Sequence, residues 1–96
     1  MTTDQCSKVP DTVQRIVDIH IRIVDDLLQR VSENQRVKGE ANAAAEMKLV
    51  HGALTYSMRR LIQFIDLARR NQVPVPFVVT DVMNRAEAAI TRYGAD

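Results

Sequence analysis

The sequence is poor in the residues that β-rich folds depend on. Its 96 residues include two Tyr, two Phe, no Trp, three Gly and three Pro. β-Sandwiches, β-barrels and stacking platforms for nucleic acids use many aromatic and turn-forming residues. This scarcity argues against all three classes and predicts an all-α fold.

Long apolar runs and paired cysteines are also missing. No stretch reaches the roughly 18 apolar residues that suggest a membrane-spanning helix. The segment from Met1 to Cys6 lacks the basic and apolar regions of a secretion signal. Cys6 is the only cysteine, which excludes an internal disulfide and a zinc site built from cysteines. We therefore expect a cytoplasmic protein with no membrane segment.

Neither sign of charge is in excess, because 13 basic residues balance 12 acidic ones to a formal net charge of +1. The 46% of hydrophobic residues suffices for one modest core. A disordered tail and a general polyanion-binding protein both fit this balance poorly. The prediction is a single helical domain over residues 1–96, with residues 1–10 as a flexible N-terminal tail.

Glycine and proline divide the chain into three predicted helices. Gly39 suits the end of a first helix, and Pro74 and Pro76 prevent a second helix from continuing. The predicted helices cover about residues 12–37, 43–70 and 76–93. At 1.5 Å per residue the first two are each about 40 Å long and the third about 25 Å. The short link between the long helices predicts an antiparallel hairpin, with the shorter third helix folding back from the end where the second helix stops.

The apolar arcs of the two long helices are wider than one neighbour can cover. On the first helix, apolar side chains between Val13 and Val31 span roughly 200°, against about 100° for one packing face. The third helix is too short to cover the whole groove, so we expect the end near the link to stay open. The apolar residues at that end are Leu27, Leu28, Val31, Met47, Val50 and Leu54. Several hundred Å² of surplus apolar surface, at about 25 cal/mol per Å², favours a partner, most simply a second copy in a dimeric helix bundle.

Four other residues interrupt the pattern of apolar and polar faces. His20 lies near the middle of the first helix's apolar face, either as a hydrogen-bonded core histidine or at a partner-facing or pH-sensitive position. Arg30 and Arg60 also fall among apolar residues, as interface arginines do, although snorkelling gives the same pattern. Ile62 intrudes on the polar stripe of the second helix. We predict that these four and the six apolar residues of the open groove form the partner or dimer interface.

No pattern in the sequence points to catalysis, a metal or a cofactor. The hairpin register places His20 nearer Arg60 than His51, and no carboxylate lies at ligand spacing beside either histidine. Arginine outnumbers lysine ten to three. Pairs four residues apart, such as Asp66 with Arg70 and Asp26 with Arg30, explain most of this as a solvated, salt-bridged face. We therefore expect a protein partner rather than a nucleic acid.

Short segments of the two long helices carry a resemblance to a known family. They are Ile19–Val24 in the first helix, Glu46-Met47, His51 and Leu61-Ile62 in the second, and Val73-Pro74-Val75 after it. These segments resemble the TraM-type antiactivators of quorum sensing, small helical proteins that bind and inactivate LuxR-type transcription regulators. The similarity covers about residues 13–76, and the predicted third helix lies beyond the usual end of that family. It implies inhibitory binding to a transcription factor, without DNA contact by this chain.

A second resemblance implies an enzyme. Leu27-Leu28-Gln29-Arg30, with Val37 seven residues on, is similar to part of the first helix of the all-helical chorismate mutases. That family holds a dicarboxylate with several cationic side chains and a Glu or Gln, and here only Arg30 fits. Ala41 stands at its expected lysine, and Ala43-Ala44-Ala45-Glu46 replaces an acidic and Arg-Glu cluster. We predict a non-enzymatic regulator; a degenerate chorismate-mutase-like protein and an immunity or adaptor protein are the alternatives.

Overall fold

The computed structural model describes residues 11–93, and this part of the chain folds into three α-helices with no strand. They are α1 (Asp11–Lys38), α2 (Glu40–Arg70) and α3 (Phe77–Tyr93). The all-α prediction is confirmed, and the helix bounds differ from those predicted by three residues at most. The predicted tail at residues 1–10, with Cys6, lies outside the described residues.

Gly39 alone links α1 to α2. Its amide donates a hydrogen bond to the Gln35 carbonyl, and its carbonyl accepts one from the Ala43 amide. Its φ of 98° lies in the left-handed region, where a side chain is strained. Because the link is this short, α2 begins three residues earlier than the sequence pattern predicts.

Contacts between α1 and α2 define their relative direction. His20 Nδ1 lies 3.0 Å from Ser57 Oγ, and Arg30 Nε lies 3.4 Å from Glu46 Oε2. From His20 to Arg30 the chain advances ten residues along α1, while the contacted residue on α2 goes from Ser57 to Glu46, eleven residues earlier in the sequence. The two helices lie side by side and run in opposite directions.

α3 packs over the hairpin at the end near Gly39. Arg85 Nη1 lies 3.0 Å from Asp25 Oδ1 on α1. Arg92 Nε lies 3.3 Å from the carboxylate of Glu40, the first residue of α2. Val73 and Val75, in the segment before α3, pack against the core. This segment occupies part of the chain's return path and so displaces α3 towards the link.

The prediction that the groove stays open near the link is wrong. Four side chains expected to line it are at most 5% exposed: Val31, Met47, Val50 and Leu54. Leu27 and Leu28 are half-buried against the same core, to which α3 contributes Val79, Val82, Met83 and Ala86. The prediction puts α3 beside the end of α2 because it allows no length for residues 71–76. In this arrangement the four buried side chains have almost no surface to offer a partner.

Within residues 11–93, none of the helices combines the length and the hydropathy that crossing a lipid bilayer requires. The helices instead form an elongated bundle of about 54 × 21 × 18 Å. Such a shape exposes long helical faces, and exposed apolar faces are typical of sites that bind other molecules.

Candidate protein-binding surface

The exposed apolar residues of α1 lie on the side of the hairpin away from α3. α3 contacts α1 through Asp25. At about 100° per residue, Asp25 falls on one side of the buried stripe of α1, and Ile16, Ile19 and Ile23 fall on the other. Ile16 is 40% exposed and Ile19 is 56% exposed. We call these three isoleucines the α1 row.

A second row on α2 borders the same side of the hairpin. A cavity of about 170 Å³ is lined only by α1 and α2, and it brings Ile16 together with Arg60, Gln63 and Leu67. The residues of α2 that continue this line in steps of three and four are all exposed. We call them the α2 row: Leu49, Ala53, Tyr56, Arg60, Gln63 and Leu67.

Both rows have the spacing with which helices pack against other helices. The α1 row advances by three and then four residues, and the α2 row alternates four and three along its whole length. Alternation of this kind gives the a and d positions of a heptad, which keep one face of a helix towards a partner. Here these positions are exposed to solvent, except Ile23, which is half-buried. Together the two rows form what we call the hairpin face.

His20 closes the space between the rows. Its side chain is buried, and Nδ1 shares a hydrogen bond of 3.0 Å with the Oγ atom of buried Ser57. The Tyr56 ring meets the imidazole edge to face, with 5.8 Å between the ring centroids. The core-histidine alternative is therefore confirmed, and this core histidine lies directly beneath the hairpin face.

Arg60 lies across the surface beside His20. Its guanidinium carbon is 6.0 Å from the centre of the Tyr56 ring, within reach of a cation–π attraction. Its Nη1 atom donates a hydrogen bond of 3.3 Å to Gln63 Oε1. The expected proximity of Arg60 and His20 is confirmed, because both line the cavity. Arg60 thus places one positive charge at the middle of an otherwise uncharged row.

Burial first, and then the positive charge of Arg60, lower the pKa of His20 below its usual value of about 6.5. The unfolded chain therefore takes up a proton at a higher pH than the folded chain does. We expect the contribution of His20 to stability to be complete above about pH 6.5 and to be lost as the pH falls below it. Urea unfolding of the wild type and of His20→Asn at pH 7.5 and pH 5 measures this loss.

The asparagine variant should lose less stability between the two pH values than the wild type does, because it cannot take up this proton. His51→Asn is the matched control, since it replaces the other histidine of the chain, whose side chain is half-buried on α2. Comparing the two variants at both pH values separates the effect of replacing His20 from the general effect of replacing a histidine by asparagine. An equal loss in the wild type and in His20→Asn would contradict the assignment to His20.

Ile62 lies outside the hairpin face, whereas Arg30 lies on the same side of α1 as the α1 row and is held by an ion pair. Arg30 pairs with Glu46 rather than with Asp26 among the described residues. Ile62 is 53% exposed, but two residues correspond to about 200° of rotation from Arg60. It therefore projects from another side of α2. The interface roles predicted for both residues stay predictions.

One predicted ion pair of α2 forms as the sequence indicates. The predicted pair of Asp66 and Arg70 forms, with 3.0 Å between the two charged atoms, and both side chains are largely exposed. Exposed pairs of this kind contribute little to stability and mark a solvated face.

Among residues 11–93, no three His, Cys, Asp or Glu side chains cluster closely enough to hold a metal ion.

Sequence reasoning predicted Arg60 as an interface residue but missed the other residues of the α2 row. Leu49, Tyr56 and Leu67 are 80%, 58% and 44% exposed, and none of them is among the interface residues predicted from the sequence. The alternation of four and three from Leu49 to Leu67 is legible in the sequence and would have found them. An aliphatic and aromatic surface with one arginine and one amide has the composition of a protein interface.

Comparisons of the chain with known protein families, with curated proteins and with solved structures found no match. The resemblances to TraM-type antiactivators and to chorismate mutases therefore stay predictions. The geometry of the hairpin face carries the functional argument.

Proposed function

We propose that this chain is a non-enzymatic helical module that binds another protein through the hairpin face and inhibits it. The observation that carries the proposal is the pair of exposed heptad rows on α1 and α2. A heptad row packs against a helix, so the target presents an apolar helical surface of its own. Covering that surface prevents the target from using it, which is how a chain of 96 residues can inhibit without catalysis.

A LuxR-type transcription regulator is the target class that we propose, which makes the chain an antiactivator. The resemblance of the helical segments to TraM-type antiactivators names the class, and the exposed rows supply a surface suited to it. The near-neutral net charge of +1 favours a protein over nucleic acid as the partner. An immunity protein or an adaptor would use the same surface on a different target.

The local charges support binding over mutase chemistry. Arg30, which fits one position of the chorismate mutase pattern, has its guanidinium nitrogen Nε 3.4 Å from the Glu46 carboxylate. A dicarboxylate substrate needs several unneutralised cations around it. Arg30 is also 65% exposed at its side chain, so any anion that it held would stay in contact with water.

The test is a DNA mobility-shift experiment with purified components. A LuxR-type regulator from the same genome is bound to its promoter DNA, and this chain is added in increasing amounts. We expect the regulator–DNA complex to disappear as the chain reaches the regulator's concentration, because a regulator occupied by this chain can no longer bind DNA. The chain alone should leave the DNA unshifted.

Two variants make the result specific to the hairpin face. Leu49 and Phe77 are both 80% exposed, but only Leu49 lies in the α2 row. We expect Leu49→Asp to weaken inhibition at least tenfold and Phe77→Asp to leave it unchanged. A regulator–DNA complex that survives excess chain, for each LuxR-type regulator of that genome, would contradict antiactivation. A shift of DNA by the chain alone would contradict the protein-binding proposal.

A further inference from the structure

The α2 row is symmetric about its own midpoint. Its steps read four, three, four, three, four, so the spacing is the same from either end. When two copies of the row lie antiparallel, the residue numbers of facing positions add up to 116. The facing pairs are Leu49 with Leu67, Ala53 with Gln63, and Tyr56 with Arg60, and a two-fold axis repeats each pair.

The chemistry of these pairs is complementary. Leu49 and Leu67 are both exposed leucines that gain by mutual burial. Ala53 is small and leaves room for the longer Gln63 side chain. Arg60 would face a tyrosine ring, which attracts a guanidinium, whereas in a parallel pairing it would face the other Arg60. The charge arrangement therefore favours the antiparallel pairing.

The α1 row has its midpoint at the same height along the hairpin. Ile16, Ile19 and Ile23 are centred close to Ile19. The hydrogen bond between His20 and Ser57 sets the register of the two helices, and in that register Ile19 lies level with Met58. Residue 58 is the midpoint of the α2 row. One two-fold axis can therefore relate both rows at once, as an interface between identical copies requires.

We propose that two copies of this chain pair through their hairpin faces, with antiparallel hairpins and a two-fold axis at the level of Ile19 and Met58. The proposal rests on the proposed function only in using the same surface. Each α2 then packs on the partner's α2 and each α1 on the partner's α1, so that the two hairpins form a four-helix bundle. Because the target and the second copy occupy one surface, each excludes the other.

Disulfide trapping tests the register directly. Cys6→Ser removes the natural thiol, and Leu49→Cys and Leu67→Cys are added singly and together. Within one chain these positions are about 27 Å apart along α2, too far for a disulfide. We expect the double variant to form a covalent dimer on oxidation, and each single variant to stay largely uncrosslinked. A mixture of the two single variants should crosslink as a heterodimer.

The control combines Leu49→Cys with Phe77→Cys, which is equally exposed but lies on α3. It should crosslink no more than Leu49→Cys alone. Three results would overturn the proposal: no excess of crosslinking in the double variant, efficient crosslinking of Leu49→Cys with itself, or crosslinking of the control. Because inhibition of a regulator is read separately by mobility shift, loss of this dimer does not decide the proposed function, and loss of inhibition does not decide the dimer.

Discussion

Leu54→Ala is expected to lower the free energy of unfolding by about 2–5 kcal/mol, the usual cost of emptying a fully buried leucine site. Leu54 is 0% exposed and belongs to the core that α3 completes. Had the groove stayed open near the link, as the sequence suggests, this substitution would trim an exposed surface and cost far less. Urea unfolding monitored by circular dichroism measures the difference.

Ile62→Ala serves as the matched control for this experiment. It removes an aliphatic side chain of equal size from the same helix, but one that is 53% exposed and outside the hairpin face. We expect a loss of roughly 0.5 kcal/mol or less, as for most surface substitutions. A loss below about 1 kcal/mol for Leu54→Ala would contradict the packing of α3 over this end of the hairpin.

Ile19→Asp is expected to separate the dimer with little effect on the fold. Ile19 is 56% exposed in the single chain, so a carboxylate there stays hydrated. In the proposed dimer it lies beside the two-fold axis, where the two introduced carboxylates would be buried against each other. An unpaired charge at an interface costs about 3–5 kcal/mol, or on the order of a hundredfold or more in the dissociation constant.

Sedimentation equilibrium measures this change, and Phe77→Asp is the control. Phe77 is more exposed than Ile19 but belongs to α3, so its replacement should leave the dissociation constant as it is in the wild type. Circular dichroism should show equal helix content in all three proteins. Equal dissociation constants for Ile19→Asp and the wild type would exclude Ile19 from the interface.

Local signals were sufficient to predict the helices. Gly39 ends α1 because it alone accepts the left-handed backbone at little cost, and the prolines at 74 and 76 bar α2 from continuing past them. The width of the apolar arcs also predicts that some apolar side chains stay exposed, as Ile16, Ile19 and Leu49 do, and the partner that they favour stays a prediction. These inferences depend only on residues that are close together in the sequence, so they need no knowledge of tertiary contacts.

The position of α3 and the setting of His20 depended on contacts between distant residues. α3 reaches the link because residues 71–76, with Val73 and Val75 against the core, use up length before it begins. His20 is satisfied by Ser57, which is 37 residues away in sequence. The sequence predicts an exposed apolar surface in the groove near the link, but α3 covers that groove. The exposed apolar surface lies instead on the side of the hairpin away from α3. Four of the predicted interface residues became core as a result.

The molar mass of the unmodified chain in solution tests most directly the claim that two copies of this chain pair with each other. Multi-angle light scattering over a range of micromolar concentrations gives this mass without a shape assumption, which matters for a molecule 54 Å long. We predict a mass approaching twice the 10.9 kDa of one chain as the concentration rises. A mass that stays at 10.9 kDa throughout would contradict the pairing of two copies.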